Sequence, residues 1–273
     1  MLIPSRALRL NANSGKPLPY VEDLKHLYDI GFAPRHGQLI MVAGRSGSQK
    51  SGFVMWWVDQ LDLPTLYFSG DMSPFTASSR IASTRYGMTT DDIETVLGRN
   101  DEQTADLMRE LNGSKMQFSF GSPISWRAVD EEIRAYVEIH NAYPSVVVFD
   151  NLMDFDGGEG DYSAQMENMQ YLTEFTRETG STVIVMHHAS DKAMDPRRPW
   201  KPPARNEIKN GLGEKPELVL GVALDNASLD FNIALLKQRM GSQDPSGEQY
   251  ASLKCIPELT RFEAKTLTNT IHK

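Results

Sequence analysis

Residues 38–53 read Gln38-Leu-Ile-Met-Val-Ala-Gly44-Arg45-Ser46-Gly47-Ser48-Gln49-Lys50-Ser51-Gly52-Phe53. An apolar run enters a Gly/Ser-rich loop, and Lys50-Ser51 opens a helical stretch. This strand–loop–helix order is a P-loop. Backbone N–H groups and a helix N-terminus cradle phosphates, a lysine reaches the β/γ-phosphates and a hydroxyl serves Mg²⁺. Gly44, Arg45, Ser46, Gly47, Ser48, Gln49, Lys50, Ser51 and Gly52 are therefore the candidate nucleotide cradle, with Lys50 as its cation and Ser51 as a metal ligand. ATP is the expected ligand, with Mg²⁺ or, in its place, Mn²⁺. One departure stands out. The usual pattern has glycine before the lysine, and this chain has Gln49, whose side chain restricts the backbone.

Around this loop, short β-branched runs alternate with helical spacing. The runs are 38–43, 65–69, 116–120, 145–150, 182–186, 218–224 and 231–236. Helical stretches are expected over 51–61, 75–86, 102–112, 125–141 and 163–179, with a further one over 20–30. Such alternation predicts βαβ crossovers and an α/β fold, with a mostly parallel twisted sheet flanked by helices. The run VVVFD lacks polar alternation, as in a strand covered on both faces. The last two runs have no helix between them and predict an antiparallel hairpin at the C-terminal edge. Residues 1–19, with Pro4, Pro17 and Pro19, read as an arm, and 20–273 as one domain. Residues 189–215 hold four prolines and no periodicity, and read as a long structureless segment, functional or mobile.

Composition narrows the class. The 273 residues carry a net charge of −8, which disfavours nonspecific polyanion binding by the whole surface and leaves room for a local basic site. The single Cys255 excludes a disulfide framework within one chain and a cysteine-rich zinc site, and is expected to be a small buried residue. No apolar run approaches the roughly 20 residues of a membrane span, and the N-terminus has no signal core. A cytoplasmic location is the expectation.

Four further stretches carry candidate chemistry. Asp150 ends the buried run VVVFD, the Walker B arrangement that holds Mg²⁺. Asp71, in Tyr67-Phe-Ser-Gly-Asp71-Met-Ser73, follows the next strand and reads as a general base or as a helix cap. His187 and His188 end VIVMHH at the sheet edge where open α/β folds bind ligands; His187 is the candidate γ-phosphate sensor, with a satisfied rim histidine as the alternative. Lys237 and Arg239, in LLKQRMGSQDPSG, place two cations two residues apart before a Gly-rich turn.

Taken in order, GRSGSQKS, YFSGDMS, VVVFDNL, VIVMHHAS and LLKQRMGSQDPSG resemble the motifs of the C-terminal ATPase domain of DnaB-type replicative helicases. The similarity runs from about Tyr20 to Phe262. It implies a RecA-like P-loop fold, catalytic roles for Lys50, Asp71, Asp150, His187, Lys237 and Arg239, and a homo-oligomeric ring, a hexamer, with shared ATP sites. Lys237 and Arg239 would then reach a nucleotide held by the neighbouring subunit. Asp71 stands where the family has glutamate and a histidine where it has glutamine. Set against that resemblance, the chain is expected to lack the family's collar domain, which suggests a phage or plasmid module acting in a host cytoplasm. The implied partner is DNA, single-stranded or forked, and the implied activity that of a helicase or translocase in replication or recombination.

Segment 189–215 holds seven cations against four anions. Arg197, Arg198, Lys201 and Arg205 with the ring of Trp200 suit a single strand, cations for the backbone and an aromatic for stacking. Two other functions compete. Asp150, Asp154, Asp156, Glu159 and Asp161 with His187, His188 and Asp191 could assemble a metal-dependent nuclease. A RecA-like recombination mediator or loader would bind DNA without unwinding it.

Overall fold

A computed structural model describes residues 15–157, 161–239, 241–265 and 271–272. Among them β1 (Leu39–Gly44), β2 (Thr65–Ser69), β3 (Met116–Phe120), β4 (Val146–Asp150), β5 (Thr182–His188) and β6 (Leu218–Asp225) lie parallel, in the order β3-β2-β4-β5-β1-β6. Beyond β6 the sheet turns antiparallel through β7 (Asp230–Gln238) and β8 (Tyr250–Ile256), which pairs with both β9 (Arg261–Ala264) and β10 (Ile271–His272). The expected hairpin is thus β6–β7, extended by strands that the sequence reading did not anticipate.

Helices α1 (Lys25–Asp29), α2 (Lys50–Leu61), α3 (Pro74–Tyr86), α4 (Thr90–Arg99), α5 (Glu102–Asn112), α6 (Trp126–His140) and α7 (Tyr162–Thr179) connect and cover the strands. Strand alternation divides the core into two layers. Ile40, Val42, Tyr67, Val146, Val148, Ile184 and Met186 face α2, where they meet Phe53, Trp57 and Val58. Met41, Phe68, Val147, Phe149, Val183 and Val185 face α6 and α7 through Ile133, Met169 and Leu172. Buried on nearly all sides, α2 also packs Phe53 against Phe231 and Phe262, with ring centroids 4.9 and 5.6 Å away. Cys255 is buried, as expected, and its thiol is pushed up to about 11 by burial.

The first 14 residues of the expected arm lie outside the described residues. Its remainder is tied down: Gly15 N–H donates to the His36 carbonyl and Leu18 N–H to that of Pro34. Segment 189–215 differs from its expectation. It is built of short 3-10 turns at Asp191–Ala193, Arg205–Glu207 and Lys209–Glu214, and Ala189 bridges Ile208. The prolines that suppress helical periodicity pack instead, since Pro202 and Pro203 are buried. No helix among the described residues is long and apolar enough to cross a membrane.

Candidate active site

Alternation decides which strand-end side chains share a space. Gly44, Ser69, Asp150 and His188 all fall on the α2 side, at the carboxyl ends of neighbouring strands, with Ser69 beside Asp150 and Gly44 beside His188 in register. The loop after β1 then delivers α2 into the same space. Ser46 to Gly52, Asp71, Arg80, Asp150, Asn151 and His188 line one cleft there.

Within the cleft the Lys50 ammonium donates to the carbonyls of Gly44 (3.1 Å) and Arg45 (2.9 Å). Burial drives its pKa down to about 8, although Asp150 nearby opposes the fall. Ser51 Oγ donates to Asp150 Oδ1 at 3.0 Å, and Tyr67 OH to Asp150 Oδ2 at 2.9 Å. Asp150 is 2% exposed, and burial raises its carboxyl to about 6 despite those two donors. Gln49 adopts φ 60° and ψ 26°, the left-handed geometry that glycine takes at no steric cost. The loop therefore keeps its glycine-type turn and carries a side chain through it. Gly44 fixes the approach on the other side: a Cβ there would lie 2.5 Å from Ser48 Oγ and 2.8 Å from the Val222 carbonyl.

Asp71 lines the cleft with an exposed carboxylate. The cap of α3 is Ser73, which accepts from Thr76 N–H, so Asp71 is not used for that purpose. His187 departs from its expected place. It lies on the opposite face, fully buried, with Nε2 3.2 Å from the Lys209 carbonyl, and burial lowers it to about 4. His188 is the histidine at the cleft, also lowered to about 4 by burial. The alternation in VIVMHH, read against VVVFD, carries that distinction. Arg80 was not anticipated. It stands seven residues beyond Ser73, two turns into α3, and Nη1 lies 3.1 Å from Met72 Sδ. A thioether is a weak acceptor, which leaves most of its five donors for the cleft.

The Arg45 side chain leaves the cleft. Its Nη2 meets Glu207 Oε2 at 2.7 Å and its Nη1 the Lys201 carbonyl at 3.3 Å, so only its backbone belongs to the cradle. Among the DNA candidates, Arg198 and Lys201 both hold Glu248, Arg205 meets Glu214 at 3.2 Å, and Arg197 is exposed. Trp200 is half-buried, with its carbonyl bound by Asn232 at 2.9 Å.

Lys237 and Arg239 lie at the other end of the sheet. Arg239 N–H meets the Glu217 carbonyl, and Glu217 N–H meets that of Leu39. Arg239 is thus level with the start of β1, about 17 Å of strand from Gly44. Its Nη1 pairs with Glu217 at 2.9 Å, and Lys237 Nζ donates to the Glu214 carbonyl.

The nuclease constellation is only partly gathered. Asp154 lies near Asp150 and Asp191 near His188, but Asp161 caps α7, Asp154 accepts from Asn151 N–H, and His187 lies on the opposite face beside the Lys209 carbonyl. Glu159 lies outside the described residues. Among the described residues no three His, Cys, Asp or Glu side chains are grouped to hold a metal ion.

The cleft residues suit a phosphate with its divalent ion. Lys50 is a buried cation whose hydrogen-bond partners are carbonyls rather than a carboxylate, and the buried Ser48 Oγ has no hydrogen-bond partner among the described residues. Ser51 and Asp150 offer the hard oxygen donors that Mg²⁺ prefers.

Fold and cleft together define a RecA-like P-loop NTPase. An AAA-domain family model matches residues 21–194, and the chain belongs to that family. It is 31% identical over 265 residues to the Gene 65 protein of Mycobacterium phage L5, covering 94% of this chain and 96% of that one. The Gene 65 protein of Mycobacterium phage D29 is 30% identical over 225 residues, covering 80% and 95%. Among solved structures, one ATPase domain superposes with TM-score 0.76 at 14% identity, covering 95% of both chains. A DnaB-like replicative helicase, solved in a study of its interactions with primase, gives TM-score 0.71 at 14% identity over 85% of this chain and 58% of that one. The chain is an ATPase-type domain with the fold of a DnaB-like helicase motor, and the resemblance carried by its five motifs holds.

Proposed function

We propose that this chain is an ATP-hydrolysing DNA motor, a helicase or translocase serving replication or recombination, with residues 20–273 as one ATPase unit. The observation that carries the reading is the separation of Lys237 and Arg239 from the P-loop of their own chain. A cation pair at the amino edge of the sheet cannot serve the cleft at the carboxyl edge. It suits the nucleotide of a neighbour in a closed ring, a hexamer by resemblance.

Within the cleft, the backbone of Gly44 to Gly52 cradles phosphates and Lys50 places its charge on them. Ser51 and Asp150 would hold Mg²⁺, which neutralises phosphate charge when bound. Asp71 accepts the proton of the attacking water, and its short side chain requires that water to sit close to the strand end. His188 takes the sensor position that the sequence reading gave to His187. Neutral near pH 7, it can donate or accept a single hydrogen bond. Arg80 adds a cation on the same side of the cleft. The neighbour's Lys237 and Arg239 stabilise the charge that develops during transfer. Arg197, Arg198, Lys201 and Arg205, with Trp200 beside them, form the DNA-facing surface.

The deciding measurement is the ATPase rate with and without single-stranded DNA, made alongside mass in solution. DNA-stimulated hydrolysis by an oligomer is expected. Hydrolysis by a monomer, indifferent to DNA, would remove the motor reading. Stimulation without strand displacement on forked DNA would favour a loader.

A further inference from the structure

Arg198 and Lys201 grip one carboxylate from two sides. Arg198 Nη2 meets Glu248 Oε2 at 2.7 Å and its Nη1 meets Oε1 at 3.2 Å, while Lys201 Nζ reaches the same Oε1 at 2.5 Å. Turns at Asp195–Arg198 and Arg198–Lys201 bring both cations to one side of the segment. A guanidinium fork with an ammonium beside it matches a phosphate as well as it matches a carboxylate.

Glu248 is delivered to this place by the backbone. Gly247, at φ +67°, presses against the chain at Pro202 and Pro203, where a Cβ would come within 3.0 Å of both carbonyls. Arg205 N–H donates to the Pro245 carbonyl at 2.8 Å, and Asp244 orders the turn by accepting from Gln249 N–H at 2.7 Å. These contacts fix the turn without the help of the Glu248 side chain. That side chain is 46% exposed, and the Arg198 side chain 39%. An Arg198–Glu248 pair this open to water holds little, while Lys201, at 20% exposed, is the more enclosed of the two cations.

We infer that Arg198 and Lys201 form a nucleic-acid phosphate site, closed in the free protein by Glu248 acting as a tethered stand-in for the phosphate. A strand that binds here must turn Glu248 out, and its phosphate then takes the same three donors. The cradle also hangs from the phosphate-binding loop, since the Lys201 carbonyl accepts from Arg45. The inference rests on the proposal that the chain acts on DNA.

The test is binding of a fluorescent oligodeoxythymidylate to the full chain, followed by anisotropy across a series of salt concentrations. Glu248→Gln is expected to bind about threefold to tenfold more tightly at low salt. Its log–log salt slope should steepen by about 0.7, one charge's worth on a single strand, because no displaced carboxylate is left to hold a cation beside the bound phosphate. Adding Arg198→Gln and Lys201→Gln should abolish that gain, so the triple variant binds like the double. An unchanged affinity and slope in Glu248→Gln, with the wild-type chain binding DNA, overturns the cradle alone. A change in oligomer mass with no change in DNA affinity also overturns it, and assigns the ion pair to contacts between copies. A wild-type chain that hydrolyses ATP yet binds no DNA, with or without Glu248, removes both the cradle and the DNA half of the proposed function.

Discussion

The two ends of the parallel sheet are chemically unlike. At the carboxyl end, Lys50 and Asp150 are buried and their pKa values have moved toward neutrality, to about 8 and about 6. A residue in that loop, Gln49, also holds a left-handed backbone. At the amino end, Arg239 has a 64% exposed side chain and an ordinary surface partner in Glu217. Burial has lowered Lys237 as well, but its ammonium rests on one carbonyl at the rim. One end has the desolvation and poised charges of a site that does chemistry. The other has cations at the rim, one paired with a surface carboxylate and one resting on a carbonyl. The difference teaches that this chain carries a nucleotide cleft at one end and, at the other, a charge that its own cleft cannot use.

The most severe test breaks each end separately. Lys50→Ala and Arg239→Ala should each lower hydrolysis by about 10³-fold. Mixing the two variants should restore part of the activity, because an Arg239→Ala cleft can meet the intact finger of a Lys50→Ala neighbour. If no mixing ratio gives activity above the two variants alone, the ends do not share a site.

A milder test sharpens the contrast through pH. Lys50 is protonated below about 8 and Asp150 ionised above about 6, so the free protein is competent between those values. The kcat/KM profile for ATP should be bell-shaped with limbs near them. Arg239→Ala should lower the plateau and move neither limb, since it leaves both Lys50 and Asp150 in place. A flat profile across both limbs would contradict the assignment of both groups. The smallest effect concerns backbone strain. Gln49→Gly should stabilise the fold by up to about 1 kcal/mol in urea unfolding, by relieving a left-handed residue, less what the freer unfolded chain takes back. A loss of stability would show that the Gln49 side chain contributes contacts worth more than the strain.

Much of this was legible in the chain, for reasons that differ residue by residue. Lys50, Ser51 and the loop glycines are contiguous, so their geometry is written locally. Asp150 was readable because VVVFD can only be a covered strand. The α/β alternation followed from segments whose period was clean. Strand β8 does alternate, with Ala251, Leu253 and Cys255 in the core between Ser252 and Lys254, but Ala, Ser and Lys are poor strand formers, so the run does not stand out. Helix α4 carries threonines and Gly98, poor helix formers. It is held by a Thr89–Asp92 capping box, a local signal that was there to be read. Arg80 and Glu248 had no such signal. Their importance depends on which distant segment folds against them.

Strand alternation gives the cleft a binary address. Adjacent histidines, 187 and 188, have identical chemistry and opposite destinations: one is sealed on the far face of the sheet beside the Lys209 carbonyl, the other opens on the nucleotide cleft. A shift of β5 by one residue would exchange them without altering composition. It would also turn the aliphatic residues of that strand toward the wrong layer. The packing of some of the most buried strands in the molecule therefore proofreads the position of a single imidazole.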